Sequence, residues 1–160
     1  MEIRFAQAQD VPGIVKLLQQ VGRVHHQGRP DLFRSNAQKY SPSQILGMLN
    51  CSDTPIFVAV EEEQVLGYGF CIMEYVSQNS VMNDRTTLYI DDLCVLESCR
   101  GKHIGTKIYH EILRYAKGRG CYNVTLNVWS CNQGAMKFYE SLGLKPQKVG
   151  MEAILHAGEE

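Results

Sequence analysis

Residues 88–118 read LYIDDLCVLESCRGKHIGTKIYHEILRYAKG, a strand, a polar turn and an amphipathic helix in succession. The run Tyr89-Ile90-Asp91-Asp92-Leu93-Cys94-Val95 supplies the strand. The turn Arg100-Gly101-Lys102-His103-Ile104-Gly105-Thr106 opens the helix. First-turn amides lack intrahelical partners, the helix dipole favours negative charge there, and glycine lets an anion approach the backbone. Two cations and two glycines at such a start suit a phosphate group, although a basic, glycine-containing helix start also serves as a plain cap.

Upstream of this stretch, Ile3 to Ala6 reads as a first strand. Asp10 can cap a helix with Pro12 in its first turn; its apolar face is Ile14, Val15, Leu17, Leu18 and Val21, and Gly22 loosens its end. Val24 to Phe33 follows as a loop or short helix bordering a pocket. Its neighbouring histidines, His25 and His26, are poorly spaced to converge on one metal ion. Ser41-Pro42-Ser43 starts a second helix through Leu49. Ile56–Val60 and Val65–Ile72 are strands around the acidic tip Glu61 to Gln64, and Asn79 to Arg85 is a polar loop.

Downstream, Gly118 and Gly120 stop the helix. Val124 to Trp129 is a further strand, Asn132 caps a helix through Leu142, and Val149 to Leu155 is a last strand. The order β-α-α-β-β-β-α-β-α-β describes an α/β (α+β) protein with a mixed sheet and helices on both faces. One domain over residues 1–155 is expected, followed by a polar tail, 156–160.

The 160 residues are 44% apolar and 21% charged, a soluble profile with room for one substantial core. A net charge of -1 gives no electrostatic case for nucleic acid. No apolar run reaches the roughly 20 residues that cross a bilayer, and Met1-Glu2-Ile3-Arg4-Phe5 reads as a strand rather than a secretion signal. Cys51, Cys71, Cys94, Cys99, Cys121 and Cys131 contain no C-x-x-C pair, so free thiols, no metal and a cytoplasmic location are expected.

Arg100-Gly101-Lys102-His103-Ile104-Gly105 resembles the acetyl-CoA signature of the GCN5-related N-acetyltransferases, Arg/Gln-x-x-Gly-x-Gly/Ala, placed directly after a strand. His103 stands where the first signature glycine belongs, which matters if that position needs a positive φ or a bare backbone. A second block of the family, Asn132, Ala135, Phe138, Tyr139, Glu140 and Gly143, follows in the right order. The resemblance covers residues 56–155 well, and the N-terminal third by element order only.

The resemblance implies a mostly antiparallel sheet in which the central strand and the next one form a splayed parallel pair. Acetyl-CoA would lie in the gap. Its pantetheine arm would bond the backbone around Leu93, Cys94 and Val95, and its pyrophosphate would meet Arg100 and amides of Gly101, Lys102, His103, Ile104, Gly105 and Thr106. Asn132 would hold the pantetheine amides, Ala135 would let the arm pass, and Tyr139 would meet both cofactor and chemistry. Homodimers are also implied.

Acetyl transfer to an amine needs a neutral nucleophile and a leaving sulfur that gains a proton. Tyr139, two helical turns beyond Asn132, is the expected general acid. The acidic strand run is similar to that of polyamine (spermidine/spermine) N-acetyltransferases. It makes Asp91 a candidate base and Asp92 an acceptor-binding charge, unless one of them pairs with an arginine or backbone amides. Because successive strand residues face opposite sides, only one should point into a given pocket. His26, Phe33 and Tyr75, with His25 and Arg29, are candidates for the acceptor pocket. The expected reaction is acetylation of a primary amine on a small molecule or a peptide N-terminus. The alternative is a non-catalytic acyl-CoA sensor or interaction module.

Overall fold

A computed structural model describes residues 1–156; residues 157–160 of the expected tail lie outside the described residues. Five strands form one sheet in the order β1-β2-β3-β4-β5: β1 Glu2–Phe5, β2 Ile56–Glu61, β3 Gln64–Val76, β4 Arg85–Val95 and β5 Asn123–Leu126. Three pairings are antiparallel, and β4 with β5 is parallel. The helices are α1 Val11–Gly28, α2 Pro42–Leu49, α3 Ile104–Gly118 and α4 Gln133–Ser141.

Two apolar layers sandwich the sheet. On one face Ile104, Ile108 and Ile112 of α3 meet Phe57, Cys71, Leu88 and Ile90. On the other, Ile14, Leu17 and Leu18 of α1 and Ile45 of α2 meet Val58, Tyr68 and Phe70. Gly67 and Gly69 seat α3 on β3. A Cβ there would come within 2.9 Å of Ile108 Cδ1 and 2.8 Å of Ile112 Cδ1, respectively. The hairpin tip forms as expected, with Glu62 and Glu63 both at positive φ, the conformation a two-residue type I′ turn demands.

Several boundaries differ from the sequence expectation. Helix α1 runs through Gly28, so Val24 to Gly28 is helix. Gly22 does not end it; a Cβ there would lie 2.1 Å from the Ala37 carbonyl oxygen, so this glycine admits the following loop. Asp10 does not cap α1 through its side chain. Its carboxylate instead accepts from the Gln7 amide at 2.7 Å and pairs with Arg4.

The final strand does not form. Residues 144–154 have no regular secondary structure, and Val149, Met151 and Leu155 are exposed. An alternating pattern makes a strand only where another strand accepts its hydrogen bonds, and none does so for this segment within the described residues. It is fastened instead by an ion pair between Glu152 and Arg29, which also holds Asp31. Strand β5 is shorter than expected as well, ending at Leu126 rather than Trp129.

Candidate active site

The β4–β5 ladder covers only Thr87–Ile90 against Asn123–Leu126. Beyond it β4 continues alone on that side, still paired with β3 as far as Val95–Gly67. This is the splay. Leu96 N donates to Leu66 O at 2.7 Å, and bonded and non-bonded pairs alternate along an antiparallel ladder. Leu93 and Val95 therefore turn their main-chain groups away from β3; those of Leu93 and the Val95 N–H are open on the side that β5 leaves, while the Val95 carbonyl accepts from Gln20 of α1.

At the mouth of this gap the chain enters α3. Gly101 has φ 81° and His103 φ 60°, and no acceptor within the described residues engages the amides of residues 101–106. Arg100 and Lys102 are exposed and pair with no carboxylate among the described residues. Gly105 lets α4 close in: a Cβ would lie 3.1 Å from Phe138 Cζ and 3.4 Å from Val95 Cγ2. Open amides, two cations and a bare backbone fit a diphosphate, while the unpaired β4 edge fits an amide-bearing arm. His103 does occupy the left-handed region, so its departure from the signature carries a conformational cost.

Helix α4 starts against the C-terminal half of α1, with Asn132 and Cys131 beside Val24, His25 and Phe33, and reaches the α3 mouth through Phe138. Asn132 Oδ1 accepts from the Ala135 amide at 3.1 Å, and its side-chain nitrogen has no protein acceptor within the described residues. Ala135 sits half-buried in the first turn. Tyr139 is partly buried, and its hydroxyl makes no hydrogen bond within the described residues but stays within reach of solvent. Burial pushes its phenol well above the usual tyrosine range, and the nearby Asp92 charge adds to the effect. It therefore keeps its proton at neutral pH, as a proton donor must.

The acidic pair corrects the alternation argument. Phe70 faces Asp92 but the next residue, Cys71, faces Ile90, so Asp91 is a bulged extra residue. A bulge resets which face each following residue occupies. Both carboxylates consequently meet side chains of the α1/α2 layer. Tyr40 and Lys39 hold Asp91, Lys39 Nζ at 2.9 Å, and the Tyr68 hydroxyl donates to Asp92 at 2.6 Å. Burial raises the Asp92 carboxyl above its ordinary value, against the opposing bond from Tyr68. Neither aspartate pairs with an arginine in the described residues.

Phe33 packs edge-on against His25 at 4.9 Å and Trp129 at 5.2 Å, beside Asn132. His26 supports that loop through Nδ1 and the Phe33 carbonyl oxygen, 2.8 Å apart. Arg29 is committed to Asp31 and Glu152. Tyr75 does not join them. It pairs in register with Thr86, nine residues of strand from Val95, or about 30 Å, and its hydroxyl donates to Asp53 at 2.7 Å.

Five residues at the site were not among the candidates that the sequence offered: Gln20, Lys39, Tyr40, Tyr68 and Trp129. Buried Gln20 donates to the Val95 carbonyl at 3.0 Å and accepts from the Glu97 amide at 3.1 Å, pinning the end of β4. The available signal was a glutamine on the apolar stripe of α1, three residues after Leu17. Cys94, likewise buried, is pushed up to about 12 by desolvation and packs toward Gln20, so its side chain belongs to the α1 layer.

The acetyltransferase (GNAT) family matches residues 24–144. The chain is 27% identical to thialysine N-epsilon-acetyltransferase of Mus musculus over 147 residues, 89% of this chain and 81% of that protein. A crystal structure of a mutant of the BH1408 protein from Bacillus halodurans superposes with TM-score 0.93 at 35% identity, covering 97% and 99% of the two chains. Aminoglycoside N-acetyltransferase AAC(6')-Iy, solved with CoA, shares the fold at TM-score 0.73 and 12% identity, covering 98% of this chain and all of that one. With its splayed β4–β5 pair and open α3 start, the chain belongs to the acetyltransferase (GNAT) family and is an acetyl-CoA-dependent N-acetyltransferase.

Proposed function

We propose that the protein acetylates the primary amine of a small cationic molecule by direct attack, with Tyr139 as general acid. The observation that carries this reading is the phenol of Tyr139, unbonded within the described residues, next to Phe138, whose ring packs at Gly105 beside Val95 of β4. Acetyl-CoA would bring an already activated thioester, so no covalent enzyme intermediate is needed.

The residues divide the work. Amides of residues 101–106, with Arg100 and Lys102, would neutralise the diphosphate. Main-chain groups of Leu93 and Val95 and the Asn132 side chain would align the pantetheine arm. Asp91 would take the proton that the acceptor ammonium must lose, directly or through water, and Tyr139 would protonate the leaving sulfur. Asp92, held by Tyr68, keeps negative potential beside the acceptor. Phe33, Trp129 and His26 would form the apolar and polar rim. The mouse relative acts on the ε-amine of thialysine, which supports a side-chain-type amine as acceptor.

The test is product mass from acetyl-CoA with diamines, amino acids, aminoglycosides and peptide N-termini. The expected result is monoacetylation of a cationic small amine that Tyr139→Phe abolishes. Acetylation confined to peptide N-termini, or unchanged by that substitution, defeats the reading.

A further inference from the structure

Lys39 lies in the loop between α1 and α2, outside every motif of the sequence reading. Its ammonium is 2.9 Å from Asp91 Oδ1 and 3.4 Å from the Asp91 carbonyl oxygen. The Tyr40 hydroxyl donates to the other carboxylate oxygen, and the Tyr40 ring stacks on Phe70 with centres 5.2 Å apart. Lys39 Nζ is 5.8 Å from the Tyr40 ring centre. A carboxylate, a main-chain carbonyl and an aromatic ring are the groups that recognise a primary ammonium. Here the chain fills that set from within.

The place is informative. Asp91 is the bulged residue at the point where β4 parts from β5. The Lys39 side chain is 45% exposed while that of Asp91 is 10% exposed, so the cation sits on the solvent side and the anion inside. A half-solvated lysine on a loop is released at small cost, because water and salt take over its charge. An Asp91 left without a cation is costly, because little water reaches it.

We propose that Lys39 is an internal stand-in for the acceptor ammonium: a cationic amine must displace it from Asp91, and this exchange selects which amines are taken. The proposal rests on the acetyl-transfer reading above and deepens its acceptor side. An incoming alkylammonium recovers every contact that Lys39 gives up. A neutral acceptor has nothing to exchange and leaves Lys39 in place. The favoured class is therefore a primary amine on a flexible aliphatic stem, protonated when it arrives.

Calorimetric titration of wild type, Lys39→Met and Lys39→Arg with 1,5-diaminopentane and with 1,5-pentanediol tests the idea. Lys39→Met keeps the stem and loses the charge. It is expected to bind the diamine about tenfold more tightly than wild type, by removal of an intramolecular competitor. Lys39→Arg should stay within threefold of wild type, and the diol should not distinguish the three proteins. Lys39→Met should also melt lower than wild type and recover with diamine, which shows that it is folded. Equal diamine affinity in wild type and Lys39→Met overturns the proposal, as does an equal gain for the diol, which would mean relief of crowding. Tighter binding without acetylated product from any amine keeps the stand-in and removes acetyl transfer. Product formed by wild type and Lys39→Met with the same KM does the reverse.

Discussion

Toward α3 and the gap beside β5, strand β4 offers main chain: the N–H and C=O groups of Leu93 and the N–H of Val95, then the open amides of residues 101–106. Toward α1 and α2 it offers side chains: Asp91 held by Lys39 and Tyr40, and Asp92 held by Tyr68. In the proposed function the first side takes the donor, and it can be built from backbone because a diphosphate and a peptide-like arm ask only for amides and carbonyls. The second takes the acceptor, and it must be built from side chains because an amine is recognised by charge. Backbone geometry tolerates substitution at most positions. Side-chain constellations do not, so relatives can share the first and differ in the second.

Tyr139 stands where the two sides meet, and it carries the largest expected effect. Tyr139→Phe should lower kcat by about 10²–10⁴-fold, the usual worth of a positioned acid, with KM for acetyl-CoA within about twofold. Steady-state kinetics in both substrates reads this directly. A kcat within threefold of wild type would remove the phenol from the chemistry. Because burial and the Asp92 charge both raise the phenol's value, kcat should show no loss from its ionisation between pH 7 and 9.

Gln20 tests the donor side from behind. Gln20→Leu leaves the Val95 carbonyl and Glu97 amide to water, so the end of β4 loses its anchor. KM for acetyl-CoA should rise about tenfold while kcat with saturating cofactor changes little, and stability should fall by about 1–3 kcal/mol. A drop in kcat with KM unchanged would place Gln20 on the acceptor side instead.

The difference between the two sides also explains what could be read from the sequence. The Arg100 to Thr106 turn and the Asn132 to Tyr139 helix are local: each is a cap, a glycine or a periodic face within a few residues, and these were legible. The facing of Asp91 and Asp92 was not, because a one-residue bulge opposite Phe70 and Cys71 leaves no mark in composition. Nor was the pairing of Lys39 with Asp91, which joins residues 52 apart through a loop without periodicity. Tyr75 misled for a related reason. Being aromatic and near the acidic strand in sequence says nothing about which end of a long hairpin it occupies. The last strand failed because its apolar alternation meets no neighbouring strand among the described residues.

Asp92 sharpens the contrast through pH. Burial raises its carboxyl from the ordinary 3.8, so the folded chain holds that proton more tightly than the unfolded one. Its contribution to stability is fullest below about pH 3.8 and is lost as pH rises through the raised folded-state value. Asp92→Asn keeps an oxygen for the Tyr68 hydroxyl and removes the buried charge. It should raise the melting midpoint at pH 7, the gain shrinking as pH falls toward 4, while kcat/KM for a cationic amine falls. A lower midpoint at pH 7 would mean that the ionised carboxylate is better satisfied than burial suggests.

His103 gives the smallest effect and the cleanest test of the backbone half of the contrast. The residue has φ 60°, and an L side chain in that region costs about 1–2 kcal/mol. Glycine removes this strain, but the unfolded chain gains conformational freedom that offsets about 0.4–1 kcal/mol. His103→Gly should therefore stabilise the fold by about 0.5–1 kcal/mol in chemical denaturation. The histidine ring makes no cap to α3, so its removal costs no hydrogen bond there. If position 103 acts through its amide, acetyl-CoA affinity should stay within about twofold, since glycine and histidine present the same N–H. A larger loss of affinity would put the imidazole itself on the phosphate and make this mouth a side-chain site as well.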